Sequence, residues 1–148
     1  VFYSVVGSLT QWCSLEKTAG ISRVAALLLL AMGFESLLSL VLRGVRPIVG
    51  TVWVYLGLAA VGNLSGEWII GGVEGKVFAY GFAFWGAGLA VRGQFLRSAA
   101  LLGLAVSFHP IVGIWCVCAT FTGLIVPRFW GKAEGDDQLQ SDASFARY

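Results

Sequence analysis

Charged residues are scarce in this sequence: Lys, Arg, Asp and Glu make up 12% of its 148 residues, about half the share in a typical soluble domain. Hydrophobic residues make up 57%, and the mean hydropathy is +0.81. A soluble fold of this size could not bury so much apolar surface and still keep a polar exterior. The composition therefore predicts an all-α, transmembrane protein, whose apolar surface is covered by the lipid bilayer.

Other absences narrow the possible functions. The net charge of +2 is too small to indicate a nucleic-acid partner, and the three cysteines are too few for a disulfide framework. No His, Asp or Glu closely follows Cys116 and Cys118 in sequence, which argues against a metal site at these thiols. Walker, GxSxG, HExxH and CxxC motifs are also missing. The sequence therefore identifies no cofactor and leaves metal binding undetermined.

The few charges divide the chain into apolar runs of about the length that crosses a bilayer. We predict a polytopic bundle of four to five membrane segments in a transmembrane region over 1–130, followed by a polar flexible tail over 131–148. The predicted segments are about 24–42, 47–64, 70–91, 98–108 and 111–126. The sequence opens at Val1 inside an apolar stretch, without a basic segment before it. This indicates a fragment of a longer protein, whose remainder would be a partner of these helices.

The apolar run over 98–127 is too long for one straight crossing and contains His109-Pro110. Proline removes a backbone hydrogen bond, so the run is either one kinked helix or a hairpin of two short helices. The positive-inside rule favours the hairpin, because it places most basic residues on one membrane face. These residues are Arg43, Arg46, Arg92, Arg97, Arg128 and Lys132.

Ionisable residues at membrane depth are the candidates for chemistry, because they are costly there. We place Glu35 in the middle of the first helix, as a buried proton or ligand site or as a carboxyl bonded to a neighbouring serine. Glu74 and Lys76 form either an interfacial ion pair or the lining of an external cleft. His109 is either a capped structural residue or, beside a carboxylate, a group for acid–base work or ligand binding.

A resemblance to a known family rests on the stretch EGKVFAYGFAFWGAGLAVRGQFLRSAALLGLAVSFHPIVGIW. Its order of helix, short basic loop and second apolar run with a break before proline resembles the C superfamily of lipid-linked-sugar glycosyltransferases. It also resembles uncharacterised bacterial membrane proteins of similar shape. The similarity covers about residues 67–132. The acidic external-loop motif typical of these enzymes, often near a divalent metal, is not visible here.

The resemblance implies a multi-pass protein of the bacterial inner membrane, with an external active site that takes sugar from a polyprenyl-phosphate donor. His109 stands where these proteins often carry a basic residue, which implies a role near a phosphate. The predicted catalytic residues are Glu67, Glu74, Lys76 and His109. Two alternatives remain: a transporter or channel whose path is lined by Glu35 and His109, and a structural membrane subunit without catalytic activity.

Overall fold

The computed structural model describes residues 1–61 and 74–126, and this part of the chain contains six α-helices and no strand. The first compact unit spans Val1–Val117, and the second begins at Cys118, within the last described helix. All packing described below lies in the first unit. The helices are α1 (Phe2–Thr10), α2 (Leu15–Leu38), α3 (Val45–Val61), α4 (Gly75–Val91), α5 (Phe95–Phe108) and α6 (Pro110–Val126).

Helix α2 begins nine residues earlier and ends four residues earlier than the predicted segment 24–42. Its start is set by Ser14, whose side chain accepts a hydrogen bond from the Lys17 backbone N–H, a typical N-cap. Charged residues therefore do not mark its boundary, and Arg23 lies inside the helix. The earlier end places Glu35 in the last turn of α2, with an exposed side chain. The prediction of Glu35 in mid-helix is wrong for this reason.

The other predicted segments agree with the helices to within about three residues where the structure describes them. Helix α3 begins at Val45, and α5 begins at Phe95. Residues 62–64 and 70–73 of two predicted segments, and the predicted tail over 131–148, lie outside the described residues. Helix α1 was not among the predicted segments, because its nine residues are too few for a membrane crossing.

Helix α4 packs between α2 and α5 by two faces that consist mainly of small residues. The face towards α2 brings Gly81 against Leu29 and Gly88 against Ser36. Both helices advance by seven residues between these contacts, so α2 and α4 run parallel. The opposite face places Ala79 and Ala83 in a buried cluster with Ala105 of α5. Gly86 contacts Leu101 and Leu102, and the register shows that α5 is antiparallel to α4.

The run that contains His109-Pro110 folds back on itself. His109 has an extended backbone (φ −148°, ψ 99°) between the end of α5 and the start of α6. Gly113 then lies directly against the backbone of Val106, which is possible because it has no side chain. Residues seven apart in one kinked helix would be about 10 Å apart along its axis. The structure therefore has the helical hairpin and not the kinked helix.

Small and large side chains are distributed unevenly between the interior and the surface of this unit. Its buried side chains are mostly small ones from Ala, Gly, Ser and Thr, whereas many large apolar side chains are exposed. The exposed residues include Ile21, Leu28, Trp53, Val54, Leu58, Leu96, Ile111 and Trp115. Among the described helices, only α2 is long and apolar enough by length and composition to cross a membrane, and α3, α5 and α6 are shorter apolar helices.

Candidate functional site

The start of α4 carries two of the predicted site residues as an ion pair. Glu74 is the N-cap residue, and its Oε2 lies 3.0 Å from Nζ of Lys76. The Lys76 side chain is only 13% exposed, whereas that of Glu74 is 48% exposed. A buried ammonium needs an anionic partner, and Glu74 supplies it from the solvent side. Glu74 also adds negative charge at a helix N-terminus, where the macrodipole favours it.

Gly75 brings this ion pair next to the helical hairpin. A Cβ atom on Gly75 would lie 2.8 Å from the Phe108 carbonyl oxygen and 3.4 Å from the side chain of Phe2. Such a contact leaves no room for any side chain, so the two backbones meet here. The N-terminus of α4 and the C-terminus of α5 therefore share one end of the unit. Phe2, Phe78, Phe82 and Phe108 form an aromatic cluster beside this contact.

His109 has a structural task at the same end. Its Nδ1 accepts a hydrogen bond from the Val112 backbone N–H at 3.3 Å, which caps the N-terminus of α6. Pro110 occupies the first helical position, where its missing N–H is not needed. A ring that accepts this bond through Nδ1 carries its proton on Nε2. The Nε2–H group is then the one that could donate to a ligand.

The described residues place three of the four predicted catalytic residues, Glu74, Lys76 and His109, at the same end of the unit. Glu67, the fourth, lies outside the described residues. Within residues 1–61 and 74–126, no group of His, Cys, Asp and Glu has the arrangement of a metal site. Glu35 lies at the opposite end of the helices from His109. The transporter hypothesis, in which both residues line a path through the bundle, stays a prediction.

Helix α2 extends beyond the end of the unit that carries Glu74, Lys76 and His109. Val77 packs in a cluster with Ala26 and Leu30, so the start of α4 lies beside the middle of α2. About two turns of α2, from Leu15 to Ser22, extend beyond this level. The ion pair and His109 are therefore set back from the end of α2, by roughly 12 Å at 1.5 Å per residue.

Sequence reasoning missed a polar contact at the other end of the unit. Arg92 follows α4, and its guanidinium donates to Ser36 Oγ at 3.1 Å and to Ser39 Oγ at 2.7 Å. Ser36 is buried against Gly88. The one available signal was the spacing of the two serines, which places both on one face of α2. This contact fixes the end of α2 to the end of α4.

No known protein family, curated protein or solved structure matches this chain. The functional assignment therefore rests on the geometry of the described residues.

Proposed function

We propose that the chain is the multi-pass helical part of an integral membrane protein. The observation that carries this proposal is the uneven distribution of side chains, with small residues inside and large apolar residues outside. In lipid, helices associate through close backbone approach at small residues, since burial of apolar surface gives no advantage there. In water, the same exposed apolar surface would lead to aggregation.

Helix lengths support a bilayer that is thin around this bundle. Helix α2 has 24 residues and is about 36 Å long, which exceeds the roughly 30 Å hydrocarbon core. Helices α3 and α4 have 17 residues each, and α5 has 14. At 1.5 Å per residue, α3 and α4 are about 26 Å long and α5 is about 21 Å long. Local thinning or flanking polar residues would accommodate the shorter helices.

We further propose that the end with Glu74, Lys76 and His109 acts on a lipid-linked sugar, as a glycosyltransferase-like enzyme on the external face. Support comes from their location at one end of the unit and from their set-back position, which a headgroup could reach from the membrane. Lys76 and the Nε2–H of His109 suit the phosphate of a polyprenyl-phosphate donor, because both donate hydrogen bonds. Glu74 would serve as the carboxylate beside the reacting sugar.

A structural membrane subunit is the second candidate. It is favoured by the fact that each of the three residues has a partner in the fold. Glu74 neutralises Lys76, and His109 caps α6 through Nδ1. In this alternative, the polar end fixes the hairpin to α4 and binds no substrate.

Cysteine accessibility tests the membrane proposal. Native Cys13 lies at the end of α2 that His109 shares, and Leu96 lies at the end that carries Arg92. In a chain lacking Cys116 and Cys118, an impermeant thiol reagent should label Cys13 from one side of sealed vesicles. In a chain that also lacks Cys13, the Leu96→Cys variant should be labelled from the other side. Labelling of both from one side, or release of the protein by carbonate extraction, would reject the multi-pass arrangement.

Binding of polyprenyl phosphate to the purified full chain separates the two candidate functions. In the enzyme proposal, Lys76→Gln should weaken this binding about tenfold or more, because a charged hydrogen bond to phosphate is lost. Lys17→Gln removes the same charge from an exposed site in the first turn of α2 and is the matched control. Equal binding by all three proteins would favour the structural subunit.

A further inference from the structure

The interhelical turns at the end opposite His109 are held together. The turn after α2 and the turn after α4 are joined by Arg92, which donates to Ser36 and Ser39. Arg97 follows in the first turn of α5. Arg43 and Arg46 come four and seven residues after Ser39. The two turns therefore gather four arginines at one end of the described helices.

In the part of the chain that the structure describes, no carboxylate forms an ion pair with these arginines. Arg92 contacts only serine hydroxyls through the bonds above, and Arg97 donates to the neutral side chain of Gln94 at 3.1 Å. Within residues 1–61 and 74–126, the ion pair of Glu74 and Lys76 lies at the other end, and no ion pair involves Arg43, Arg46, Arg92 or Arg97. The nearest acid in sequence, Glu35, thus forms no ion pair with these arginines in the described part of the chain.

Exposed apolar side chains lie among the arginines. Val41 is 83% exposed and Val45 is 75% exposed in the turn that carries Arg43. Leu96 is 87% exposed beside Arg97. A soluble partner that neutralised the arginines would not need such apolar neighbours. The headgroup boundary of a bilayer offers both environments, with anionic phosphate above and acyl chains directly below.

We propose that these two turns form a binding surface for anionic phospholipid headgroups, with Arg43, Arg46 and Arg97 as the residues that contact phosphate. Arginine suits this role, since its planar guanidinium can form two parallel hydrogen bonds to phosphate oxygens. Arg92 positions the surface by joining its two turns. The inference rests on the proposed membrane function, because only helices that cross a bilayer would hold these two turns at the headgroup boundary.

The test is native mass spectrometry of the full chain, purified in mild detergent and incubated with equal amounts of phosphatidylglycerol and phosphatidylcholine. The unmodified protein should retain phosphatidylglycerol preferentially. Arg46→Gln and Arg97→Gln should each lower the ratio of bound phosphatidylglycerol to phosphatidylcholine about fivefold. Arg46→Lys should lower the ratio less than Arg46→Gln does, because lysine keeps the charge but loses the two parallel hydrogen bonds. Lys17→Gln, at the opposite end, should leave the ratio unchanged.

Equal retention of the two lipids by the unmodified protein would overturn the inference, as would an equal loss of preference in Lys17→Gln and Arg46→Gln. Displacement of bound lipid by excess glycerol phosphate would also overturn it, since the surface would then recognise free phosphate. Carbonate extraction of the source membranes distinguishes the two levels of failure. If the protein stays in the membrane but lacks lipid preference, this inference alone is rejected. If the protein is released, the membrane function is rejected as well.

Discussion

At the scale of the residue, His109 shows how one ring can serve the fold and still be available for chemistry. Nδ1 is occupied by the Val112 backbone N–H. The opposite nitrogen, Nε2, carries the proton and can donate to a ligand. A variant that keeps the cap and removes the Nε2–H therefore separates the two roles.

We expect His109→Ala to lower the stability of the hairpin by about 1 kcal/mol, the usual cost of a lost N-cap. His109→Asn should restore most of this loss, because its side-chain oxygen can accept the same bond. Thermal unfolding of the purified protein in detergent measures both. If asparagine destabilises as much as alanine does, the ring matters for a reason other than the cap. In the enzyme proposal, His109→Asn should weaken polyprenyl-phosphate binding although the fold is retained.

Thr18 offers a second prediction at this scale. Its Oγ1 is buried and has no hydrogen-bond partner in the described part of the chain. Replacing an unsatisfied buried hydroxyl by a methyl group of the same shape removes a desolvation cost. Thr18→Val should therefore leave stability unchanged or raise it by about 1 kcal/mol in thermal unfolding.

Thr51→Val is the matched control for Thr18→Val. Thr51 is exposed, and its Oγ1 donates to the Pro47 carbonyl at 2.9 Å. This change should bring no gain in stability, since it removes a hydrogen bond that is made. A clear loss of stability in Thr18→Val would mean that its hydroxyl has a partner after all.

At the scale of the element, α4 is defined by how closely its neighbours approach. Its glycines and alanines alternate between the face towards α2 and the face towards α5. Small residues that recur on one helix favour close backbone packing in a membrane. Their positions therefore decide which helices can be neighbours, whereas the large aromatic side chains fill the space at the edges of these contacts.

Two glycine substitutions test this role of α4. A Cβ on Gly88 would collide with Ser36, whereas a Cβ on Gly57 of α3 would meet nothing within 4 Å. Gly88→Ala should cost roughly 1–3 kcal/mol through overpacking. Gly57→Ala should be neutral or stabilise by up to about 1 kcal/mol, because alanine is the better helix former. Thermal unfolding of both variants compares them, and equal effects would contradict the contact between α2 and α4.

The sequence predicts the elements better than their ends. The class of fold and the helix break at His109-Pro110 follow from hydropathy and from the geometry of proline. The start of α2 does not follow from hydropathy. Glu16, Lys17 and Arg23 are charged, and a helix end near an interface tolerates such residues. The bonds of Arg92 could not be predicted, because they join residues 53 and 56 positions apart in the chain.

The candidate site was predictable in part. Consecutive antiparallel helices begin at alternate ends of the bundle. This connectivity alone predicts that Glu74, Lys76 and His109 lie at the same end. The backbone contact between Gly75 and Phe108, at the end that carries the three residues, depends on packing between α4 and α5. Hydropathy carries no information on such a contact. The functional role of these residues stays a prediction.

At the scale of the whole molecule, helix lengths differ in a way that bears on the surrounding lipid. Helix α5 has 14 residues and α2 has 24. In a multi-pass arrangement, the short helices leave polar ends within a bilayer of ordinary thickness. A mismatch of this kind costs a fraction of a kcal/mol per Å.

We therefore expect the protein to be more stable in thin bilayers than in thick ones. Thermal unfolding in nanodiscs of phosphatidylcholine with acyl chains of about 14, 18 and 22 carbons measures this dependence. The unfolding temperature should fall as the chains lengthen, because the ends of α4 and α5 are then drawn into hydrocarbon. A rise in the unfolding temperature with chain length would show that α2 alone sets the preferred thickness.

The interior of small residues has a consequence for how sequence variation is tolerated. In a soluble protein, the core is damaged most by substitutions that remove atoms. Here most buried positions already hold alanine, glycine, serine or threonine, so little can be removed from them and most added atoms would not fit. A complete substitution scan should therefore show interior sites that reject enlargement and exposed apolar sites that accept any apolar side chain. Side-chain size, more than hydrophobicity, would distinguish inside from outside in such data.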